Sequence, residues 1–259
     1  MIFFMAGTSD ARELALILQA HGYPLVASVV TGSAGKSLRE SGIDVRIGRL
    51  DQKAMTQVLE NDAATLLVDA SHPFAEEAHR TAMAAAAARG ITYLRFERAS
   101  QQYADVAGVT MVDSYEQAAE IAAQKQGSIM LTTGGKTLAI FAKRLLGEAT
   151  IRLVARLLPR RDNMEKCEQL GFEQKNIIAI QGPFTREFNE ALYRQFKTTL
   201  MITKESGQVG SVDEKVQAAL ALGIEVVIIR RPPREYGHSY ETFADVLCAV
   251  QAVWEEGTR

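Results

Sequence analysis

Short apolar runs and segments with helical periodicity alternate over residues 1–98 of the chain. The segment after the first apolar run places Leu14, Ala15 and Leu18 at helical spacing, and Gly22 follows as a typical residue just past a helix end. This alternation predicts a parallel β-sheet with helices on both of its faces. The predicted strands are 2–6, 24–30, 44–50, 65–70 and 91–96, and the predicted helices are 9–22, 52–60 and 73–90.

A polar stretch, residues 99–108, interrupts this pattern before strand-like and helical segments resume. The fold class we expect is therefore α/β, with two Rossmann-like domains, mostly parallel sheets and a ligand cleft between the domains. We place an N-terminal dinucleotide-binding domain at 1–98 and a C-terminal α/β domain at 99–259, and the last helix, roughly 240–256, can pack on either domain. The strands predicted in the second half are 109–114, 128–133, 151–156, 176–182, 199–203 and 225–230.

Composition narrows the classes of function without selecting one. The chain has 259 residues, of which 47% are hydrophobic and 23% charged, as in soluble globular proteins. Its net charge of −2 argues against a general nucleic-acid binder. No apolar run approaches the roughly 18 residues of a membrane span, and the N-terminus lacks signal-peptide features, so we expect a cytoplasmic protein without nucleic-acid or membrane partners. Both a monomer and a small homo-oligomer remain open.

The cysteines and histidines do not form a metal-binding pattern. Cys167 and Cys248 are far apart in sequence, and no C-x-x-C or H-E-x-x-H motif is present. His72 and His79 are seven residues apart and could share a helix face, but no third ligand accompanies them. We therefore predict no metal.

The turn after the first strand is the first candidate for ligand binding, because ligands of open parallel sheets bind beyond the carboxyl ends of the strands. A lone glycine, Gly7, stands there, followed by Thr8, Ser9 and Arg12. A glycine at this turn lets a phosphate approach the start of a helix, although the full G-x-G-x-x-G pattern is absent. The alternative is a plain helix cap made by Ser9 or Asp10. The position of the turn favours a dinucleotide.

The segment after the second strand bears on the choice of dinucleotide. A site for NADH usually has an acidic residue here, which holds the ribose 2′-hydroxyl. The chain has Thr31, Gly32, Ser33 and Lys36 instead, and these suit a 2′-phosphate. They favour NADPH, with NADH possible. A flexible polar loop without a ligand is the alternative.

The segment after the fourth strand contains Ser71, His72 and Pro73. Proline fits the first position of a helix, but histidine is not a preferred helix cap. A histidine at the carboxyl edge of a sheet is a candidate for ligand contact or proton transfer. We predict that Ser71 contributes to the cofactor site and that His72 is catalytic.

In the second half, the stretch LTTGGKTLAIF (131–141) resembles the end of the P-loop pattern G-x-x-x-x-G-K-[ST]. Met130 stands where the first glycine of that pattern is required, so the loop is too short to wrap a triphosphate. We expect Thr133, Gly134 and Gly135 to hold part of a dinucleotide or a substrate carboxylate instead. Bases and glycines also follow the other strands of this half, which indicates an anionic ligand.

Six short motifs in register resemble those of the precorrin-6A reductase family, which includes the cobalt-precorrin-6A reductases. They are GTSDAR, DASHPFA, YLRFER, LLPR, QGPF and TKESG, spread from residue 7 to residue 207. The resemblance covers essentially the whole chain. One departure is Ala99, where the family often has proline, and we expect it to alter only a turn.

The resemblance implies a nicotinamide dinucleotide between two α/β domains and hydride transfer to one double bond of a tetrapyrrole-derived macrocycle in cobalamin synthesis. It leaves open whether the substrate carries cobalt. Such a substrate bears many carboxylates, and arginine pairs with carboxylates bidentately. Our candidates for substrate binding are Arg95, Arg98, Arg156, Arg160, Lys204, Ser206, Gly207, Arg230 and Arg231.

Two other functions fit the same residues. One is another nucleotide-dependent enzyme with two Rossmann-like domains, such as a glycosyltransferase, and the other is a non-catalytic dinucleotide sensor. Cofactor binding alone does not separate a sensor from a reductase, whereas turnover does.

Overall fold

A computed structural model describes residues 1–97, 103, 105–205, 213–232 and 236–257 of the chain. The chain forms two compact units: unit 1 combines Met1–Ala99 with Pro233–Arg259, and unit 2 is Ser100–Pro232. The last helix, for which we left the packing on either domain open, belongs to unit 1.

Unit 1 contains a sheet in which all described strand pairs are parallel. Its strand order is β12-β5-β4-β1-β2-β3, which is the order 3-2-1-4-5-6 of dinucleotide-binding folds if β12 is counted as the sixth strand. The order reverses between β1 and β4. The strands are β1 (Ile2–Met5), β2 (Leu25–Val29), β3 (Asp44–Ile47), β4 (Leu66–Asp69), β5 (Thr92–Phe96) and β12 (Ser239–Tyr240).

Helices cover both faces of this sheet, and this explains why its strands read as continuous apolar runs. Phe4 belongs to a core cluster with Leu18 of one helix and Val250 of the last helix. Its neighbour Phe3 belongs to a second cluster with Ala82, on the opposite face. The helices of unit 1 are α1 (Ser9–Ala20), α2 (Gly32–Arg39), α3 (Gln52–Asn61), α4 (Glu76–Arg89) and α10 (Phe243–Gly257).

Unit 2 contains a second parallel sheet, with the order β6-β11-β10-β7-β8-β9 and a reversal between β7 and β10. Its strands are β6 (Val109–Val112), β7 (Gly127–Leu131), β8 (Ile151–Leu157), β9 (Ile177–Ala179), β10 (Leu200–Lys204) and β11 (Glu225–Ile229). Its helices are α5 (Tyr115–Lys125), α6 (Leu138–Leu145), α7 (Arg161–Gln169), α8 (Arg186–Gln195) and α9 (Glu214–Ala221). The α/β class and the two Rossmann-like units are as predicted.

Two elements of unit 1 differ from the prediction. The segment after β2, which we considered as a loop, forms the short helix α2, capped by Thr31, whose hydroxyl accepts from Ala34 N at 3.3 Å. Strand β12 pairs with β5 through Ser239 and Tyr240 alone and thereby returns the chain to unit 1. Neither segment carries enough apolar residues to show a period.

The described residues offer neither a membrane span nor a metal site. None of their helices is long and apolar enough to cross a bilayer. The same part of the chain has no group of three or more His, Cys, Asp or Glu side chains that could hold an ion.

Candidate functional site

The turn between β1 and α1 lies at the point where the strand order of unit 1 reverses. Thr8 caps α1, because its hydroxyl accepts from Ala11 N at 3.1 Å. Gly7 precedes this cap, and its φ lies outside the left-handed region. A Cβ added to Gly7 would meet no described atom within 4 Å. Neither backbone conformation nor packing within the described chain requires glycine here, so the open space suits the close approach of a ligand.

The next turn, between β2 and α2, has the same property. A Cβ at Gly32 would also meet no described atom within 4 Å, and its φ is not left-handed. The hydroxyls of Thr31 and Ser33 lie 3.3 Å apart at the start of the helix. Gly7 and Gly32 therefore form two open backbone turns at the ends of two hydrogen-bonded strands.

The remaining predicted cofactor residues near these turns are engaged with the protein. Lys36 is 79% exposed and lies 3.9 Å from Glu40 on the same helix. The Arg12 guanidinium donates to the Ser41 hydroxyl at 2.9 Å. Ser9 donates to Asp10 at 3.3 Å. Lys36 forms the loosest of these contacts and so has the most freedom to move.

Asp69, the last residue of β4, is fully buried and accepts five hydrogen bonds. Its Oδ1 accepts from Ser71 N at 2.9 Å, from Ser71 Oγ at 2.6 Å and from Arg95 Nη1 at 3.2 Å. Its Oδ2 lies 2.7 Å from His79 Nδ1 and accepts from Tyr93 OH at 2.8 Å. The carboxylate thus fixes the turn after β4, on which Ser71 and His72 lie.

These contacts hold Asp69 in its charged form. Burial alone would raise the pKa of Asp69, but the hydrogen bond with His79 and the charges of Arg95 and His79 bring that pKa well below its usual range. Burial, reinforced by the negative charge of Asp69, raises the pKa of the Tyr93 hydroxyl. Tyr93 therefore remains a neutral hydrogen-bond donor to a charged acceptor.

His79 connects the turn after β4 to helix α4. Its Nδ1 lies 2.7 Å from Oδ2 of Asp69, and its Nε2 lies 3.3 Å from the Pro73 carbonyl oxygen. The ring is fully buried between these two groups. His79 therefore fixes the turn from the side of α4.

His72, the predicted catalytic residue, is exposed on this same turn. Its Nδ1 accepts a hydrogen bond from Phe74 N at 3.2 Å. This contact would be lost on protonation at Nδ1, so a proton handled by His72 is handled at Nε2. The structure gives the turn after β4 two different histidines, one buried and paired and one exposed.

Arg95 requires a correction, because we predicted that it meets substrate. It is fully buried in unit 1. Its Nη1 donates to the Asp69 carbonyl at 3.0 Å and to the Ser71 carbonyl at 2.9 Å, and its Nε donates to Glu97 at 3.2 Å. The Arg95 guanidinium also lies 5.3 Å from the centroid of the Tyr236 ring. Arg95 supports the turn from inside rather than presenting its charge at the surface.

The glycine turn of unit 2 differs from those of unit 1. Gly134 has a φ of +83°, which L side chains rarely adopt. A Cβ at Gly135 would collide with Oδ1 of Asn163. The hydroxyl of Thr133 is buried and accepts from Thr137 at 3.0 Å. The conformation and packing of unit 2 therefore account for these three residues without a ligand, and their part in a cofactor site stays a prediction.

Two of the predicted substrate-binding bases of unit 2 are paired at the surface. Arg160 forms two hydrogen bonds with Asp162, at 2.9 and 3.1 Å, and Arg230 donates to Asp113 at 2.9 Å. The backbone N–H of Arg231 donates to Glu205 at 2.9 Å. Exposed pairs of this kind exchange readily with solvent and ligands.

At this edge Arg156 is buried and Lys204 is half-buried. Burial, together with the charge of Lys136, lowers the pKa of the Lys204 ammonium, which lies 5.5 Å from the centroid of the Tyr115 ring. Arg156 is 9% exposed, and burial lowers the pKa of its guanidinium against the opposing influence of Tyr193 and Asp213. Arg98, Ser206 and Gly207 lie outside the described residues.

The sequence interpretation missed the network around Asp69. We considered His79 only as half of a possible metal pair. A charged residue at the end of an otherwise apolar buried strand was the available signal, since buried acids are almost always paired. Nothing local to the sequence identifies Tyr93 and His79 as its partners.

The chain is similar over nearly its whole length to known reductases. The family described as Precorrin-6x reductase CbiJ/CobK matches residues 1–252. The cobalt-precorrin-6A reductase of Priestia megaterium is 55% identical over 250 residues, covering 96% of this chain and 98% of that protein. The precorrin-6A reductase of Rhodococcus erythropolis is 30% identical over 254 residues, covering 96% and 95%. The solved structure of CobK precorrin-6A reductase shares the fold, with a TM-score of 0.78, 24% identity, and coverage of 97% and 96%.

Proposed function

The chain belongs to the precorrin-6x reductase family, and we propose that it reduces one double bond of precorrin-6A or cobalt-precorrin-6A with a nicotinamide dinucleotide. It is an oxidoreductase of cobalamin biosynthesis that acts on a CH–CH group. Membership of this family does not favour the glycosyltransferase-like enzyme or the non-catalytic sensor.

The open turn at Gly7 is the observation that carries the cofactor side of this proposal. It lies where the strand order of unit 1 reverses, and the N-terminus of α1 follows it. Helix N-termini bind phosphate through their free N–H groups, and a glycine lets the phosphate come close. We assign the dinucleotide to Gly7, Thr8 and Ser9, with Arg12 and Ser71 beside them.

The second open turn supports NADPH over NADH. Thr31, Gly32 and Ser33 offer hydroxyl and N–H donors, and Lys36 adds a mobile positive charge on the first turns of α2. A 2′-phosphate fits this set better than a 2′-hydroxyl, which an acidic residue usually holds. The reductase therefore prefers NADPH and accepts NADH less well.

The substrate side of the proposal rests on the basic residues of unit 2. These bases lie near or just after the carboxyl ends of three parallel strands: Arg156 and Arg160 at β8, Lys204 at β10, and Arg230 and Arg231 at β11. Carboxylates of the macrocycle can replace the surface partners of Arg160 and Arg230 at little cost, because exposed ion pairs are weak. Arg98, Ser206 and Gly207 remain predictions from the resemblance.

A bound nicotinamide dinucleotide supplies the hydride. The residues of the chain orient the reactants and stabilise the charge that develops during reduction. Asp69, with Arg95 and His79 around it, holds the turn after β4, so that Ser71 and His72 keep fixed places at the sheet edge. His72 moves the proton that accompanies reduction, and it does so at Nε2, because Phe74 N–H occupies Nδ1.

The test is turnover under anaerobic conditions with NADPH or NADH and with either metal-free or cobalt-containing substrate. We expect loss of nicotinamide absorbance with at least one substrate and a lower KM for NADPH than for NADH. Absence of nicotinamide oxidation with both substrates would reject the enzyme assignment.

The role of His72 has its own test. We expect His72→Ala to lower kcat while the Kd of the dinucleotide changes little, since Asp69 fixes Ser71 on this turn without using the His72 ring. Unchanged turnover in His72→Ala would remove His72 from the mechanism without affecting the reductase assignment.

A further inference from the structure

Arg156 is a buried cation at the carboxyl edge of the sheet of unit 2, the edge at which parallel sheets generally bind ligands. It is the residue before the last of β8, and it pairs with Ile178 of β9. The pairing of β7 with β8 ends one residue earlier, at Leu131 and Ala155, so Arg156 lies at the carboxyl edge of the sheet. Only 9% of Arg156 is exposed.

The protein fixes the Arg156 side chain without neutralising it. Nη1 donates to Asn189 Oδ1 at 2.6 Å, and the guanidinium lies 5.0 Å from the centroid of the Phe184 ring. Within the described part of the chain, no Asp or Glu forms an ion pair with Arg156, and Asn189 is its only side-chain hydrogen-bond partner. The Nε and Nη2 donors are left without an acceptor from these residues.

The two residues that hold Arg156 are themselves fixed. Asn189 is 1% exposed, and its Nδ2 donates to the Thr185 carbonyl at 2.8 Å, which turns Oδ1 towards the guanidinium. Phe184 stacks on Phe188 with ring centroids 5.2 Å apart and an interplanar angle of 11°. The guanidinium therefore has a set orientation before any ligand binds.

A carboxylate is the ligand that completes this arrangement. Asp213 acts on Arg156 electrostatically, but its carboxylate forms an ion pair with Lys215 and none with Arg156. A buried charge without an ion-pair partner is costly, and arginine keeps its charge in proteins. The planar fork of the guanidinium matches the two oxygens of a carboxylate. We propose that Arg156, positioned by Asn189 and Phe184, is a preformed anchor for one peripheral carboxylate of the tetrapyrrole-derived substrate. The identity of that substrate rests on the proposed function, whereas the presence of the anchor does not.

The chain supplies a matched control at the opposite end of the same strand. Arg152 donates from Nε to Asn176 Oδ1 at 2.8 Å and lies 5.2 Å from the centroid of the Phe196 ring. It thus has the same kinds of partner as Arg156, but it is four residues earlier in β8, towards the amino edge. Ligands are not expected at that edge.

The decisive substitution is Asn189→Asp, compared with Asn176→Asp. Each substitution places a carboxylate beside an arginine and removes one amide donor. Asn189→Asp loses the hydrogen bond to the Thr185 carbonyl, and Asn176→Asp loses the one to Glu173. Asn189→Asp supplies internally the counter-ion that the ligand would bring. We expect it to weaken binding of a tetrapyrrole carboxylate by about tenfold or more, as for loss of one charge-assisted contact, whereas Asn176→Asp changes binding less than about twofold.

Two binding measurements separate the possible anions. The Kd of uroporphyrin, a tetrapyrrole with carboxylate side chains, is measured by its fluorescence without cofactor, and the Kd of NADPH by nicotinamide fluorescence. Selective loss of uroporphyrin affinity in Asn189→Asp is the expected result. Selective loss of NADPH affinity would overturn the carboxylate assignment in favour of a dinucleotide phosphate. Equal behaviour of the two Asp variants would overturn the anchor itself.

A second pair of variants covers a failure of Asn189→Asp to fold, which melting curves would reveal. Arg156→Lys keeps the positive charge but loses the planar guanidinium with its two parallel donors. Phe184→Leu removes the aromatic ring that lies beside this guanidinium. Both should weaken uroporphyrin binding, and Arg152→Lys should not. If the wild-type protein binds uroporphyrin through Arg156 but oxidises no NADPH with a precorrin, the proposed function fails while the anchor stands.

Discussion

The carboxyl edges of the two sheets leave different features open to a ligand. In unit 1, a Cβ at Gly7 or Gly32 would meet no described atom within 4 Å, while the buried charges of Asp69 and Arg95 are paired with each other. In unit 2 the glycine turn is fixed by its own conformation and packing, whereas Arg156 is buried without an ion pair to a described residue. A glycine turn with free space above its backbone suits a phosphate, and a guanidinium without an ion-pair partner suits a carboxylate. Two units of one architecture thus offer complementary chemistry.

The largest expected effect comes from breaking the paired charges of unit 1. Asp69→Asn removes the fully buried counter-ion of Arg95 and leaves it only the ion pair with Glu97, and removing one partner of a buried ion pair costs about 3–5 kcal/mol. The free energy of unfolding, measured with urea, should fall by about that amount. Glu60→Gln, which breaks the exposed pair with Arg89, should cost less than about 1 kcal/mol. Equal losses in the two variants would show that the Asp69 network adds no special stability.

The same network predicts a pH dependence of stability. The folded-state pKa of Asp69 is lowered, so its contribution is fully present above the unfolded-state value of about 3.9. The contribution disappears as pH falls below that value towards the folded-state pKa, because protonation then favours the unfolded chain. Between about pH 5 and pH 2.5 the wild-type protein should lose more unfolding free energy than Asp69→Asn. Parallel pH profiles would contradict the charged state assigned to Asp69.

The sequence predicts those features of the two units that follow from hydrophobic periodicity or from the position of a residue just after a strand. The alternation of apolar runs and helical segments over residues 1–98 was sufficient to predict a parallel sheet, and the position of Gly7 after the first strand predicted a ligand-binding turn. Helix α2 was missed because few of its residues are buried, and β12 because Ser239 and Tyr240 alone form it. No sequence period reports such elements, since their stability comes from tertiary contacts.

Side-chain roles were less predictable, because they depend on contacts between strands distant in sequence. Arg95 and Arg156 look alike as bases at strand ends, yet one lies against a buried carboxylate and the other against an amide. The difference arises from Asp69 and Asn189, which stand 26 and 33 residues away from their respective partners. Only the folded chain brings these partners together.

A smaller effect is expected from closing the open backbone of unit 1. Gly7→Ala adds a methyl group that meets no described atom, so the free energy of unfolding should change by less than about 0.5 kcal/mol. The Kd for NADPH should nevertheless rise about tenfold, equivalent to about 1.4 kcal/mol, because the methyl group would occupy the space that we assign to the phosphate. Nicotinamide fluorescence titration measures this.

The matched control for Gly7→Ala is Gly134→Ala in unit 2. Its φ of +83° makes alanine strained, so stability should fall by about 1 kcal/mol or more. Binding of NADPH to the folded variant should remain nearly unchanged. The reverse pattern, with Gly134→Ala weakening NADPH and Gly7→Ala not, would move the phosphate site to unit 2.

The smallest effect concerns the one basic residue beside the open turns that makes only a loose contact. Lys36 is 79% exposed and 3.9 Å from Glu40, so solvent and salt screen its charge. Lys36→Ala should raise the Kd for NADPH by about two- to fivefold, in keeping with an exposed ion pair worth up to about 1 kcal/mol, and should leave the Kd for NADH unchanged. Added salt should shrink the difference, because a 2′-phosphate contact at the surface is electrostatic.

Lys53→Ala, which removes another exposed lysine from the same unit, should affect the Kd of neither cofactor. Equal weakening of NADPH and NADH by Lys36→Ala would mean that the turn after β2 does not read the 2′-phosphate, and the open backbone of unit 1 would then bind the dinucleotide without selecting it.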